Sequence, residues 1–269
     1  MRLGSLPALA LVLAATGCDM VQVYQRQIDR ATHAIENAKS DAESATAYSD
    51  RGRGYSDKAR LSWLRHQIDR EEYLRLYALA LADHDRAVAL APGDAHLYYD
   101  RGRSSYDRGA SIEGIDADRT PWMDAARRDF TAAVEKNPRD AVSYDFLGLV
   151  EQQTGRFDEA VAAYTRVMEL DPRWGRVRLS ELHCTQGQSH LQAKEFELAA
   201  AELEKSVALD ARGDSCSCEP YNSLAYVYID ATAQYDKAWD LVRRALASGH
   251  VIAPEYLLQL ETASGKKGV

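Results

Sequence analysis

Ten residues occur twice in this chain almost unchanged: YSDRGRGYSD at 48–57 and YYDRGRSSYD at 98–107. A chain that copies itself at a fixed interval folds as an array of similar units, each burying its apolar face against its neighbours. Composition says which kind of unit. Aromatic residues make up only 9%, charged residues 28%, and alanine is abundant. That balance suits helices with narrow apolar stripes better than a β-rich core. The formal net charge of -8 disfavours nucleic acid as a partner, because a non-specific nucleic-acid binder needs a basic face. No glycine-rich phosphate loop, GxSxG or HExxH occurs, so neither an enzyme nor a cofactor is expected.

The cleanest unit is AVSYDFLGLVEQQTGRFDEAVAAYTRVMELDPRW at 141–174. Tyr144, Leu147 and Gly148 fall on a first helix, Gly155 and Phe157 at a turn, Ala160, Tyr164 and Leu170 on a second helix, and Pro172 at its end. The small residues let two helices approach, the large ones fill the space between units, and the proline stops the helix. This pattern resembles the tetratricopeptide repeat. The resemblance implies an all-α, right-handed solenoid of about five helix-turn-helix repeats with capping helices, whose inner wall holds extended ligands. With that unit as a ruler, repeats are expected at 45–94, 95–140, 141–174, 180–213 and 218–250, the last with one extra residue in its turn. The second helices of the first two repeats arrive late. The first insertion, around KARLSWLRHQIDREEYLRLY, has helical spacing; the second, RGASIEGIDADRTPW, reads as a loop. A capping helix is expected within 18–44, where Tyr24, Ile28, Ala31, Ile35 and Ala38 share one face; a second is expected at 254–263, followed by a disordered tail at 264–269.

Residues 1–17 have the form of a signal peptide, with Arg2, a short apolar run and small residues at its end. AATGC resembles a bacterial lipobox with Ala15 in place of the usual leucine, which implies lipidation of Cys18. The chain is then expected at a cell membrane, lipid-anchored and facing the periplasm. Asp19 resembles an inner-membrane retention signal, and the outer membrane stays open.

Arg51 and Arg101 occupy the slot that Leu147 and Leu224 fill in other repeats. An arginine there needs a carboxylate, and the facing slot on the second helix supplies Asp83 and Asp129, against Ala163 and Leu241 where leucine stands. Arg51 with Asp83 and Arg101 with Asp129 are therefore expected as structural ion pairs, and Gln186 with Glu202 as a polar pair in the fourth repeat. Arg53 and Arg103 lie two residues further round and are expected on the inner wall beside Ser49, Asp57, His96, Tyr99, Tyr106 and Asp107. Arg53, Arg103, Tyr99, Tyr106 and His96 form the candidate partner-binding groove. The competing reading is a solvated face whose arginines are neutralised by Asp57 and Asp107.

Cys184 is expected to pair with Cys216 or Cys218 in an exported protein. A zinc site built from these cysteines with His183 or His190 matches no standard spacing, and Asp116 with Asp118 is too short a motif for a calcium loop. The function expected is a lipid-anchored scaffold that binds another envelope protein in its groove. The alternatives are a peptidoglycan- or glycan-binding module using Tyr98, Tyr99, Tyr106 and Trp122, or a pilus or secretion assembly lipoprotein.

Overall fold

Helices supply all the regular structure of the described residues, which are 20–110, 119–209 and 219–266 in a computed structural model. The chain divides into two compact units, Met1–Thr154 and Gly155–Val269. No helix among the described residues is long and apolar enough to cross a membrane.

The first unit opens with α1 (Met20–Asn37), an amphipathic helix that buries Ile28 and Ala31 against α2 (Asp41–Leu64). Ser40 caps α2 by accepting from the Glu43 backbone N–H, and the Glu43 carboxylate accepts from the Lys39 N–H. The following helices are α3 (Arg70–Leu90), α4 (Ala95–Ala110), α5 (Thr120–Lys136) and α6 (Ala141–Gln153). α2 packs on α3 and α4 on α5, while the first helices α2, α4 and α6 stand side by side.

The first insertion forms no separate element. It lengthens both helices of its repeat, to 24 and 21 residues against 13 and 14 in the pair that follows the second repeat. The extension is stable because it carries its own small core: Ala59, Tyr73, Leu76 and Tyr77 are buried, with Trp63 tilted onto Tyr73 at 5.2 Å. His66, at φ +55°, turns the chain at the far end. Of the second insertion, residues 111–118 lie outside the described residues, Asp116 and Asp118 among them; α5 begins at Thr120 with Pro121 in its first turn.

His84 occupies the slot that Phe130 fills in the next pair, and is fully buried. Its ring lies where a side chain at Gly52 would stand, 2.8 Å from an ideal Cβ, and its Nε2 contacts the Ser104 hydroxyl at 3.0 Å. Burial, with Arg53 and Arg101 nearby, pushes its pKa down to about 3. A histidine depressed below its unfolded value of about 6.5 contributes stability that is full above that value and lost as pH falls towards 3. In urea titrations the native chain should lose stability between about pH 6.5 and pH 4 more steeply than His84→Phe. Equal slopes would show that the imidazole takes up its proton as readily in the folded chain as in the unfolded one.

The second unit contains α7 (Phe157–Leu170), α8 (Pro172–Gln192), α9 (Phe196–Leu209), α10 (Pro220–Tyr226) running into a π-helical turn at Val227–Ala231, α11 (Tyr235–Ala247) and α12 (Pro254–Ser264). Asp171 ends α7 and also caps α8, its carboxylate accepting from the N–H groups of Arg173 and Trp174. The helix that holds the expected repeat start at 180 begins at Pro172. The extra residue of the fifth repeat is absorbed in the wide turn, where the Thr232 N–H reaches the Val227 carbonyl five residues back. The core gathers Leu203, Leu224, Leu241 and Trp239, with Tyr256 and Leu257 of α12 laid against it. Residues 264–266, expected in a tail, are held: the Trp239 indole donates to the Ser264 hydroxyl, and Lys266 reaches Asp236 at 2.8 Å. Residues 267–269 lie outside the described residues.

Candidate functional site

The duplicated decapeptides place two kinds of arginine in the first unit. Arg51 grips Asp83 with two hydrogen bonds of 2.7 Å, and Arg101 grips Asp129 at 2.9 and 2.7 Å. These are fork-on-carboxylate contacts between a first and a second helix, and the carboxylates are almost fully buried. Arg101 takes a second carboxylate, Asp85, at 2.9 Å, which slot comparison did not point to.

The other arginines lie on the wall formed by α2 and α4. Arg53 pairs with Asp50 on its own helix and lies 3.5 Å from Asp100 on the next. Asp100 is 1% exposed, accepts from the Ser49 hydroxyl, and has His96 Nε2 at 3.6 Å. Burial raises its pKa, with Ser49, Arg53, His96 and Arg103 pulling it back. Arg103 stands 3.7 Å from Asp107 and 4.0 Å from Asp57. Arg60, which the sequence did not single out, stands 3.6 Å from Asp57 and 3.9 Å from Asp107. Two aspartates and two arginines from successive repeats thus close a four-membered ring of alternating charge.

The structure brings the other groove candidates to the same region, with their rings partly committed to packing. Tyr99 stacks on His96 at 5.8 Å and meets Phe146 edge-on. Tyr106 meets Phe146 from the other side, and its hydroxyl accepts from the Gln153 amide at 2.6 Å. Ser49 is buried behind the wall. The faces named for glycan stacking have partners of their own: the Arg108 guanidinium lies 3.6 Å over the Trp122 ring, and Lys136 and Arg101 lie over Tyr98.

In the second unit Glu202 takes His183 as its partner at 2.7 Å, one turn from the expected Gln186, and Lys205 as well. His190 is held by Glu195. Among the described residues no group of three or more potential ligands is placed to hold a metal ion. Cys184 is fully buried and disulfide-bonded; Cys18, Cys216 and Cys218 lie outside the described residues. A cavity of about 610 Å³ in this unit had no motif to announce it. Thr185 and Gln188 of α8, Asn222, Ser223 and Tyr226 of α10, and Tyr256 of α12 line it.

The family model of the tetratricopeptide repeat matches residues 141–173. The fold is that of a tetratricopeptide-repeat protein. Among solved structures, this chain is similar to MamA at 16% identity, over 67% of this chain and 93% of that one, with a TM-score of 0.41. It is also similar to YrrB, described as a TPR protein with an unusual peptide-binding site, at 17% identity over 88% and 98%, with a TM-score of 0.45. α2 and α4, each packed on the helix that follows it, lie outside the matched residues.

Proposed function

We propose that this chain is a lipid-anchored tetratricopeptide scaffold that engages another protein of the bacterial envelope along the wall of α2 and α4. The observation that carries the reading is the surface on which the two DRGR copies set Arg53 and Arg103, with Arg60 of α2 beside them and 38–39% of each side chain exposed. Flat guanidinium groups in a row suit an extended segment, supplying donors to backbone carbonyls or carboxylates. The lipobox-like AATGC supports the anchored setting, and α1 begins at Met20, two residues beyond Cys18. An anchor there keeps the first unit close to a membrane surface.

Capture from detergent-extracted membranes of the native host, read by mass spectrometry, tests both parts. The native chain should enrich a discrete envelope protein that Arg53→Ala/Arg103→Ala loses. Cys18→Ser should move the chain from the membrane fraction to the soluble one. Retention of the same protein by the double variant would sink the wall as the partner surface, and an unchanged distribution of Cys18→Ser would sink the anchor.

A further inference from the structure

The two kinds of arginine are held very differently. The contacts of Arg51 and Arg101 with their aspartates run from 2.7 to 2.9 Å. In the ring, Arg60 and Arg103 stand 3.6 to 4.0 Å from Asp57 and Asp107, beyond hydrogen-bond reach. Arg60 Nε is buried without a hydrogen-bond partner among the described residues. The depth of the groups is ordered too. The Arg60 and Arg103 side chains are 38% and 39% exposed, while those of Asp57 and Asp107 are 23% and 18% exposed. Arg103 also hydrogen-bonds Tyr99, so an approaching partner meets arginines loosely engaged with the aspartates, with those less exposed carboxylates behind them.

We infer that Asp57 and Asp107 hold Arg60 and Arg103 in reserve for the oxyanions of an acidic partner segment, and that acidification releases them. The inference rests on the wall being the partner surface. With both aspartates ionised the ring is neutral, so an incoming carboxylate gains little net attraction and must compete with Asp107 for the same donors. A proton on Asp107 leaves the ring with one positive charge and two guanidinium groups sharing a single carboxylate. The groups facing Asp107 are Asp57 and Arg60 from α2, Tyr77 from α3 and Arg103 on its own helix, with Tyr24 of α1 beside the ring. Burial pushes the Asp107 carboxyl above the usual carboxylate range, with Arg103 and Arg60 pulling it back. Binding coupled to one proton strengthens by at most about tenfold per pH unit.

The test uses the full chain and two fluorescent probes: a short peptide of alternating glutamate and alanine, and its counterpart carrying cysteic acid, whose sulfonates do not titrate. Binding by anisotropy is followed from about pH 7 to about pH 5. The native chain should bind both probes about tenfold more tightly at the lower pH. Asp107→Asn should bind tightly throughout, and Asp57→Asn should shift in the same direction, which guards against a folding defect in either variant. Arg60→Ala/Arg103→Ala should bind neither probe. Native binding that ignores pH, or a pH dependence that survives Asp107→Asn, overturns the inference while leaving the wall as the partner surface. So does the absence of probe binding by both native and Asp107→Asn, provided the capture experiment still loses its protein on Arg53→Ala/Arg103→Ala. If that variant keeps its protein, the underlying reading has failed.

Discussion

Gly175→Ala destabilises the second unit by about 3 kcal/mol, against the roughly 1 kcal/mol gain that the same change brings in an ordinary helix interior. The sign reverses because of what the new methyl group would meet. An ideal Cβ at Gly175 stands 2.2 Å from both the Cα and the backbone N of Met168, and 2.4 Å from its Cβ. No side-chain rotation relieves a clash with backbone, so α7 and α8 would have to separate. Only Asp171 lies between them, and it caps both helices, which leaves the chain no slack. Urea unfolding read by tryptophan fluorescence, with Trp174 and Trp239 reporting on this unit, should show the loss as a lower midpoint. A variant as stable as the native chain would mean that the two helices can slide apart at little cost.

Gly175 also marks where the sequence stops being legible. The repeats could be read because each helix pair needs small residues at its close approach and large ones between pairs, and those demands recur at a fixed period. Measuring the fourth repeat from its later glycines and alanines put its start at 180, which left Gly175 in a connector where nothing asked for it. Arg60 was hidden for a related reason. It lies beyond the duplicated ten residues, and the position fifty further on is Ala110, so comparing the two copies could not reveal it. The structural arginines were legible because charge tracks charge across slots: aspartate faces arginine at 83 and 129, whereas Ala163 and Leu241 belong to repeats with leucine. Slot matching carries an uncertainty of one helical turn, enough to put Gln186 where His183 meets Glu202. How the first insertion would divide between two helices was not legible either. Its residues are good helix formers throughout, and the contact of Trp63 with Tyr73 that fixes the turn is tertiary.

The largest reversible effect is expected at Arg51 and Asp83. Asp83→Ala alone should cost about 3 kcal/mol, because the Arg51 side chain, 22% exposed, is left with the Thr32 hydroxyl at 3.5 Å and no carboxylate in bonding distance among the described residues. Asp129→Ala should cost less, since Arg101 keeps Asp85 at 2.9 Å. Arg51→Leu/Asp83→Ala should recover most of the loss, because the third repeat fills the same two slots with Leu147 and Ala163 and needs no charge there. A desolvated ion pair and an apolar pair of similar volume are often nearly equal in stability; the broken pair is the costly state. A double-mutant cycle by urea unfolding therefore separates two ideas about these arginines. A coupling above about 1.5 kcal/mol with a near-native double variant fits a register device, in which charge restricts the faces with which a helix can pair at little cost in stability. A double variant as unstable as Asp83→Ala would instead mean that leucine at 51 cannot pack beneath Tyr48, whose ring now lies under the guanidinium at 5.5 Å. The slots of the first and third repeats would then differ in shape as well as in charge.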